Sequence, residues 1–364
     1  MNWKRQATKG VRIITAIALK DILDAFKSRT IITMILAVLM LLLLSQAMPL
    51  LSKIRNIPQV VVFDEGESKL FEEFQGNDEL IIHRLRSAAE MEEAVAEGSG
   101  AGLGIIIPAG FDKSVGGGSP VKLEGYEASW ANPSDVESAH KTFEEQFSVA
   151  VGGPLRVEIQ NAIHPGLTAD GQPFTVALTM VIATMLVTII VVPHLVIEEK
   201  ENKTMDLLLV SPATNNDIVL GKALAGLVYG LTAAAVVLLV HPRMVESWGL
   251  VVLAIFLGAL FAVALGLLLG MIFDNLQNLN LWTGLLFLVL IMPLILVNFS
   301  NPKWPEVIKV LFTWLPTVAM SQIVLASFSD HVDLGLLWPN LIVLSAFAML
   351  LFGLIIFQIR RLNR

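Results

Sequence analysis

The chain has 364 residues, of which 55% are hydrophobic and 16% charged, with a formal net charge of -7. That balance excludes a soluble enzyme and places the chain among polytopic membrane proteins. The absence of cysteine excludes disulfides, zinc-thiolate sites and thiol catalysis, so any region outside the membrane is held by its own core.

The charge is divided along the chain: residues 53–173 carry 20 acids against 9 bases, or -11, while the rest carries 12 acids against 16 bases, or +4. Residues 1–29 contain Lys4, Arg5, Lys9, Arg12, Lys20, Lys27 and Arg29. Leu19, Ile22, Leu23 and Phe26 share one helical face, with Lys20, Asp24 and Lys27 opposite. This predicts an amphipathic helix lying along the membrane surface. Residues 30–51 then form a first span. A cleaved signal peptide is the competing reading, because Ser45-Gln46-Ala47 has the small residues of a cleavage site. A lead of ~30 residues and an apolar run of ~20 are both too long for it, since such peptides have apolar cores of about 7 to 15. The basic lead puts the N-terminus in the cytoplasm and residues 52–173 outside.

Residues 52–173 read as a small α/β domain. Residues 59–63, 80–85, 102–107 and 121–126 are strand candidates, separated by acidic helical stretches such as 87–97. Their alternation favours a mainly parallel sheet covered on both faces. Residues 134–163 read as a long helical segment broken at Gly152-Gly153-Pro154, leading back to the membrane. The acidity of the region reads as a solvated surface, with a cation-attracting vestibule as the alternative.

Residues 174–197 are the ~20 apolar residues that a second span requires, and the carboxylates from Glu198 onward end it. In the polar segment 198–218, Thr204 caps a short helix, Asp206 suits the positive end of its dipole, and Pro212 stops it. Met205, Leu208 and Leu209 fall on one side with no core to fill, placed to plug into something outside the membrane. The run Glu199-Lys200-Glu201-Asn202-Lys203-Thr204-Met205-Asp206-Leu207-Leu208, followed by Ser211-Pro212 and Leu220-Gly221-Lys222, resembles the signature after the second membrane helix of ABC-2 type permeases, the membrane subunits of ABC exporters. Lys203 stands where that family usually has glycine. The resemblance implies that the segment is a coupling helix docking on a separate ATPase subunit, with Glu199, Glu201, Thr204 and Asp206 in that role. It also implies that the N-terminal helix is the family's elbow helix. Phe63-Asp64-Glu65-Gly66 and Ile106-Ile107-Pro108-Ala109-Gly110-Phe111 resemble the domain between the first two spans in the branch that includes sodium and drug exporters.

The remaining spans are 219–240, 250–273, 281–297 and 336–357. They make six, and return the tail 358–364 with Arg360, Arg361 and Arg364 to the cytoplasm. Trp248, Trp304 and Trp338 fall at outer boundaries and Trp282 at an inner one. Gly226, Gly230, Gly266 and Gly270 permit close helix contact, within one subunit or, alternatively, across a dimer seam. In residues 298–335, Pro302, Pro305 and Pro316 interrupt an apolar stretch, 307–313, too short to cross ~30 Å of hydrocarbon. Broken helix at that depth must face protein or water, which predicts a re-entrant hairpin. The resemblance implies such half-helices between the fifth and sixth spans. The expected fold is thus a membrane α-helical bundle of six transmembrane helices with an inserted extracytoplasmic α/β domain and an N-terminal elbow helix.

The chain lacks the means of chemistry of its own. Asn216-Asp217-Ile218-Val219-Leu220-Gly221-Lys222-Ala223 comes nearest to a phosphate-binding loop, but lacks the first glycine and the hydroxyl residue that would hold magnesium. No cofactor is expected here; ATP and magnesium belong to a partner ATPase. The six histidines have no metal-ligand spacing, no serine sits in a Gly-x-Ser-x-Gly turn, and no basic aromatic stripe suggests nucleic acid. His194, beside Pro193, is either a group that protonates during transport or a hydrogen-bonded histidine at a proline kink. Thr179, Thr184 and Thr188 line a polar path or bond to their own helix carbonyls.

The expectation is a permease of an ABC-2 type exporter in the cell membrane. Among membrane lipids it forms a homodimer or a heterodimer with a similar permease, the pair binds two ATPase subunits, and a sodium ion, drug, lipid or other amphiphile is moved outward. The alternative is a membrane-anchored receptor or surface-assembly protein whose outer domain binds a partner. A stand-alone ion-coupled transporter would place carboxylates within the spans, which contain almost none.

Overall fold

The computed structural model describes residues 2–25, 32, 33, 36, 37, 40, 43, 57–74, 80–97, 102–115, 121–131, 133–164, 171–201, 214–298, 306–330, 332 and 334–362. It is mostly helical, with a small mixed sheet between the N-terminal helix and the main bundle.

Helix α1 (Asn2–Ala25) precedes the sheet domain. That domain runs β1 (Gln59–Asp64), α2 (Lys69–Glu73), β2 (Ile81–Leu85), α3 (Ala88–Glu97), β3 (Leu103–Ile107), α4 (Phe111–Ser114), β4 (Val121–Ala128), α5 (Pro133–Val151) and β5 (Leu155–Ile163). The strand order is β2-β1-β3-β4-β5, and only β3 and β4 pair antiparallel. Val60, Val61 and Val62 of β1 are all buried, as befits a central strand covered on both faces. Val60 and Val62 join the larger core with the phenylalanines of α2, α4 and α5, while Val61 packs with Met91 and Val95 of α3. Phe147 is the centre of the larger core, with the rings of Phe71, Phe74, Phe111 and Phe143 at 5.7, 5.0, 5.5 and 5.3 Å.

The four strands expected from sequence are present, and a fifth corrects the reading of 134–163 as a helical segment broken at Gly152-Gly153-Pro154: the break is there, but a strand follows it. Helix α5 ends at Val151, and Gly152 takes a φ of 72°, a left-handed conformation that glycine adopts without penalty. Beyond Pro154 the pattern changes period: Leu155 and Val157 are buried while Arg156 and Glu158 are exposed, and the segment pairs in parallel with β4. This two-residue alternation is that of a strand.

The bundle consists of α6 (Gly171–Glu201), α7 (Asn215–Val240), α8 (Trp248–Ile272), α9 (Leu276–Asn298), the short α10 (Glu306–Thr313) and α11 (Pro316–Ala326), and α12 (Leu334–Leu362). Five of these, α6, α7, α8, α9 and α12, are long and apolar enough to cross a membrane. The first span expected at 30–51 lies almost wholly outside the described residues. Helix α6 is the most buried of the five and α9 the least. The α6, α7 and α8 axes approach closely because glycines face branched side chains. A Cβ on Gly266 would lie 2.9 Å from Val192 Cβ and 3.1 Å from Pro193 Cδ; one on Gly230 would lie 2.5 Å from Thr188 Oγ1. These glycines are filled by packing within the subunit.

The stretch expected to break the helical pattern does so as α10 and α11. Nearly every residue of α11 is buried, and the Thr317 hydroxyl donates to Leu290 O at 2.6 Å. Leu290 lies in the turn before Pro293 of α9, so the bond from Thr317 ties α11 to α9 beside a residue that has no backbone N–H of its own.

Candidate functional site

Three consecutive residues at the end of α6 point about 100° apart, because an α-helix has 3.6 residues per turn. Glu199, Lys200 and Glu201 therefore reach three different neighbours.

Glu199 faces α1 and α7 and is buried. Its Oε1 accepts from Lys20 Nζ at 2.9 Å, and its Oε2 lies 2.8 Å from Lys222 Nζ. Lys222 is only 1% exposed; it also lies 3.3 Å from Asp21 Oδ2 and donates to Leu195 O at 2.8 Å. Two cations thus meet two carboxylates, and the cluster is neutral when all four are ionised. A buried lysine without such partners would lose its hydration uncompensated. Burial, outweighing the attraction of Lys222, holds the Asp21 carboxyl above its ordinary value of 3.8.

Helix α1 is positioned for this by small residues and backbone contacts. Gly221 of α7 leaves room for Ile17, whose Cβ would lie 2.8 Å from a side chain there. Tyr229 Oη is within hydrogen-bond reach of Asp21 O and Ile22 O, at 3.2 and 3.0 Å. The buried face of α1 is Ile17, Ala18 and Asp21, whereas Leu19 and Leu23 remain 57% and 56% exposed. Of the apolar stripe expected from sequence, Ile22 thus packs on the bundle, Leu19 and Leu23 do not, and Phe26 lies outside the described residues.

Lys200 turns to the end of α8. Its Nζ donates to Met271 O, Phe273 O and Asp274 Oδ1 at 3.3, 3.0 and 3.1 Å, a cation placed on the carbonyls at a helix C-terminus. Glu201 turns to the start of α9, where its Oε1 accepts from Leu276 N at 3.2 Å, a carboxylate on a helix N-terminus. Asn275 completes that start by accepting from Asn278 N at 2.8 Å. At the near end of α7, Thr214 and Asp217 form a reciprocal capping box, which fixes where the chain resumes after the polar segment.

Of the residues singled out in sequence, Glu199 and Glu201 lie in this joint. Thr204, Met205, Asp206, Leu208 and Leu209 lie outside the described residues. Thr179 and Thr184 donate to Thr175 O and Met180 O of their own helix at 2.7 and 2.8 Å. The buried hydroxyl of Thr188 faces Gly230 and has no partner among the described residues. His194 Nδ1 is 2.7 Å from Ile190 O of its own helix, close enough to donate its ring N–H there, beside Pro193.

Sequence reasoning missed the roles of Lys20, Asp21, Lys200 and Lys222. Lys222 carried a signal, as a lone cation just inside an apolar span that needs a named partner. Asp21 carried its counterpart, an acid one residue off the polar face of α1.

A family profile described as ABC-2 family transporter protein matches residues 27–357. No curated protein matches the chain.

Proposed function

Because the chain belongs to the ABC-2 family of transporter proteins, we propose that it is the permease subunit of an exporter driven by a separate ABC ATPase. In this reading the charged end of α6 faces the cytosol, residues 198–218 form the coupling segment, and the sheet domain lies outside. The observation that carries it is the position of Glu199. The residue at the root of the segment is locked to α1 and α7 by ion pairs on both of its oxygens. A push on the segment would therefore reach three helices at once, which an ordinary solvated loop would not do.

Nucleotide-driven closure of the ATPases would move the segment through Thr204, Met205, Asp206, Leu208 and Leu209, and the Glu199 joint would pass the motion to α1, α6 and α7. Pairing of two such permeases would complete a path for an amphiphile or a cation, moved outward. Thr179, Thr184, Thr188 and His194 are occupied with helix carbonyls or packed against α7, which supports a support role for them beside that path. The test is affinity capture of the tagged full chain from its native membranes. An ABC ATPase captured in comparable amount, with ATP-dependent accumulation of a fluorescent amphiphile in inside-out vesicles, supports the reading. A chain that is captured without any ATPase overturns it.

A further inference from the structure

Lys200 and Glu201 do something that the Glu199 joint does not: they hold the two sides of the turn between α8 and α9. Lys200 covers the last carbonyls of α8, Met271 O and Phe273 O, and pairs with Asp274. Glu201 accepts from Leu276 N at the first residue of α9. One residue grips the outgoing helix, the next grips the incoming one, and the turn Phe273, Asp274 and Asn275 lies between them. Backbone carbonyls and an amide are the gripped groups, so the hold survives any side-chain identity in the turn except at Asp274.

We propose that Lys200 and Glu201 are positioning residues that clamp the α8–α9 turn to the end of α6, making this turn a second output of the coupling segment. The inference rests on the function proposed above and extends it to α9. Helix α9 has few contacts with α6 and α8 compared with those that α6 makes with α7 and α8, and near the turn Leu281, Trp282, Leu285, Leu288 and Val289 are exposed. Without the clamp it has little to make it follow α6. The grips are partly exposed: the Lys200 and Asp274 side chains are 27% and 87% exposed. Exposed pairs contribute little to stability, so their removal tests transmission and not folding.

The absence of cysteine allows the experiment to be done by labelling. Gln277→Cys places a reporter on an exposed position of α9 beside the turn, and the isosteric Ser211→Cys places one in the coupling segment, at a residue given no docking role. Inside-out vesicles from the native host are treated with a membrane-impermeant maleimide, with and without a non-hydrolysable ATP analogue. The expected result is that the nucleotide changes the labelling rate at both positions at least threefold. Adding Lys200→Gln and Glu201→Gln together abolishes the change at 277 while that at 211 persists. Persistence of the response at 277 in the double variant overturns the clamp, as does the absence of any response at 277 in the otherwise native chain. Absence of a response at 211 as well overturns the proposed function itself, and with it the clamp. A change at 211 caused by the double variant, with the captured ATPase unchanged, also overturns the clamp, since the residues would then act on the segment.

Discussion

The core of the sheet domain and the Asp21, Glu199 and Lys222 side chains at the end of α6 are both buried, but they are built of different groups. In the sheet domain, Phe71, Phe74, Phe111, Phe143 and Phe147 stack and tilt on one another with their rings within 6.5 Å. At the end of α6, Lys20, Asp21, Glu199 and Lys222 meet across three elements that are distant in sequence. An aromatic core has one good packing and loses contacts as soon as it shifts. A set of charges on separate helices is a joint that is costly to leave half-made. The first defines a shape, and the second ties separate helices together.

The contrast predicts how each region breaks. Phe147→Ala should destabilise the sheet domain most, by ~3–5 kcal/mol, because truncation leaves a cavity among four rings; thermal unfolding followed by Trp130 fluorescence reads this. No second substitution nearby should restore it. Lys222→Met should cost about 3 kcal/mol or more by leaving two carboxylates buried. Adding Glu199→Gln should return a substantial part of that loss, since the partner charge is then gone too. A double variant no more stable than Lys222→Met would show that the cluster is not a coupled unit.

Two smaller effects sharpen the same comparison. Gly266→Val should cost about 1–3 kcal/mol, because the Cβ position meets the stiff Val192 and Pro193. Gly258→Ala should cost less, because its neighbour is the flexible side chain of Met320. Asp21→Asn should change stability least, by about 1 kcal/mol at neutral pH. The raised carboxyl of Asp21 stabilises the fold fully below its unfolded value, and that contribution is lost as pH rises through the higher folded value. Melting across pH should therefore show wild type losing stability relative to Asp21→Asn from about pH 4 upward.

Much of this architecture was legible in the order of residues. The Val-rich β1, the Gly-containing spans, and the run from Glu199 to Leu208 announced a sheet domain, close-packed helices and a family. Strand β5 was not, because Leu155, Val157 and Ile159 follow an α-helix directly and their alternation is short. The clustering of Lys20, Asp21 and Lys222 was not legible either, since it depends on α1 docking on α7 through Ile17 rather than through Leu19 and Leu23. A hydrophobic stripe identifies an amphipathic helix but does not say which apolar environment it meets. Pro193 and the hydrogen-bonded histidine beside it could be read from the sequence, whereas the bond from Thr317 to Leu290 O depends on tertiary contact between α11 and α9.

The proposed function requires a separate ATPase to take hold of the bundle at the end of α6. Spin labels at Arg12→Cys in α1 and Gln277→Cys in α9, two exposed positions on either side of Glu199, report the distance across that joint in nanodiscs containing the chain and its captured ATPase. A shift of several ångströms on binding a non-hydrolysable ATP analogue, lost in Glu199→Gln, is the predicted result. An unchanged distance with nucleotide bound to the assembled complex would contradict it.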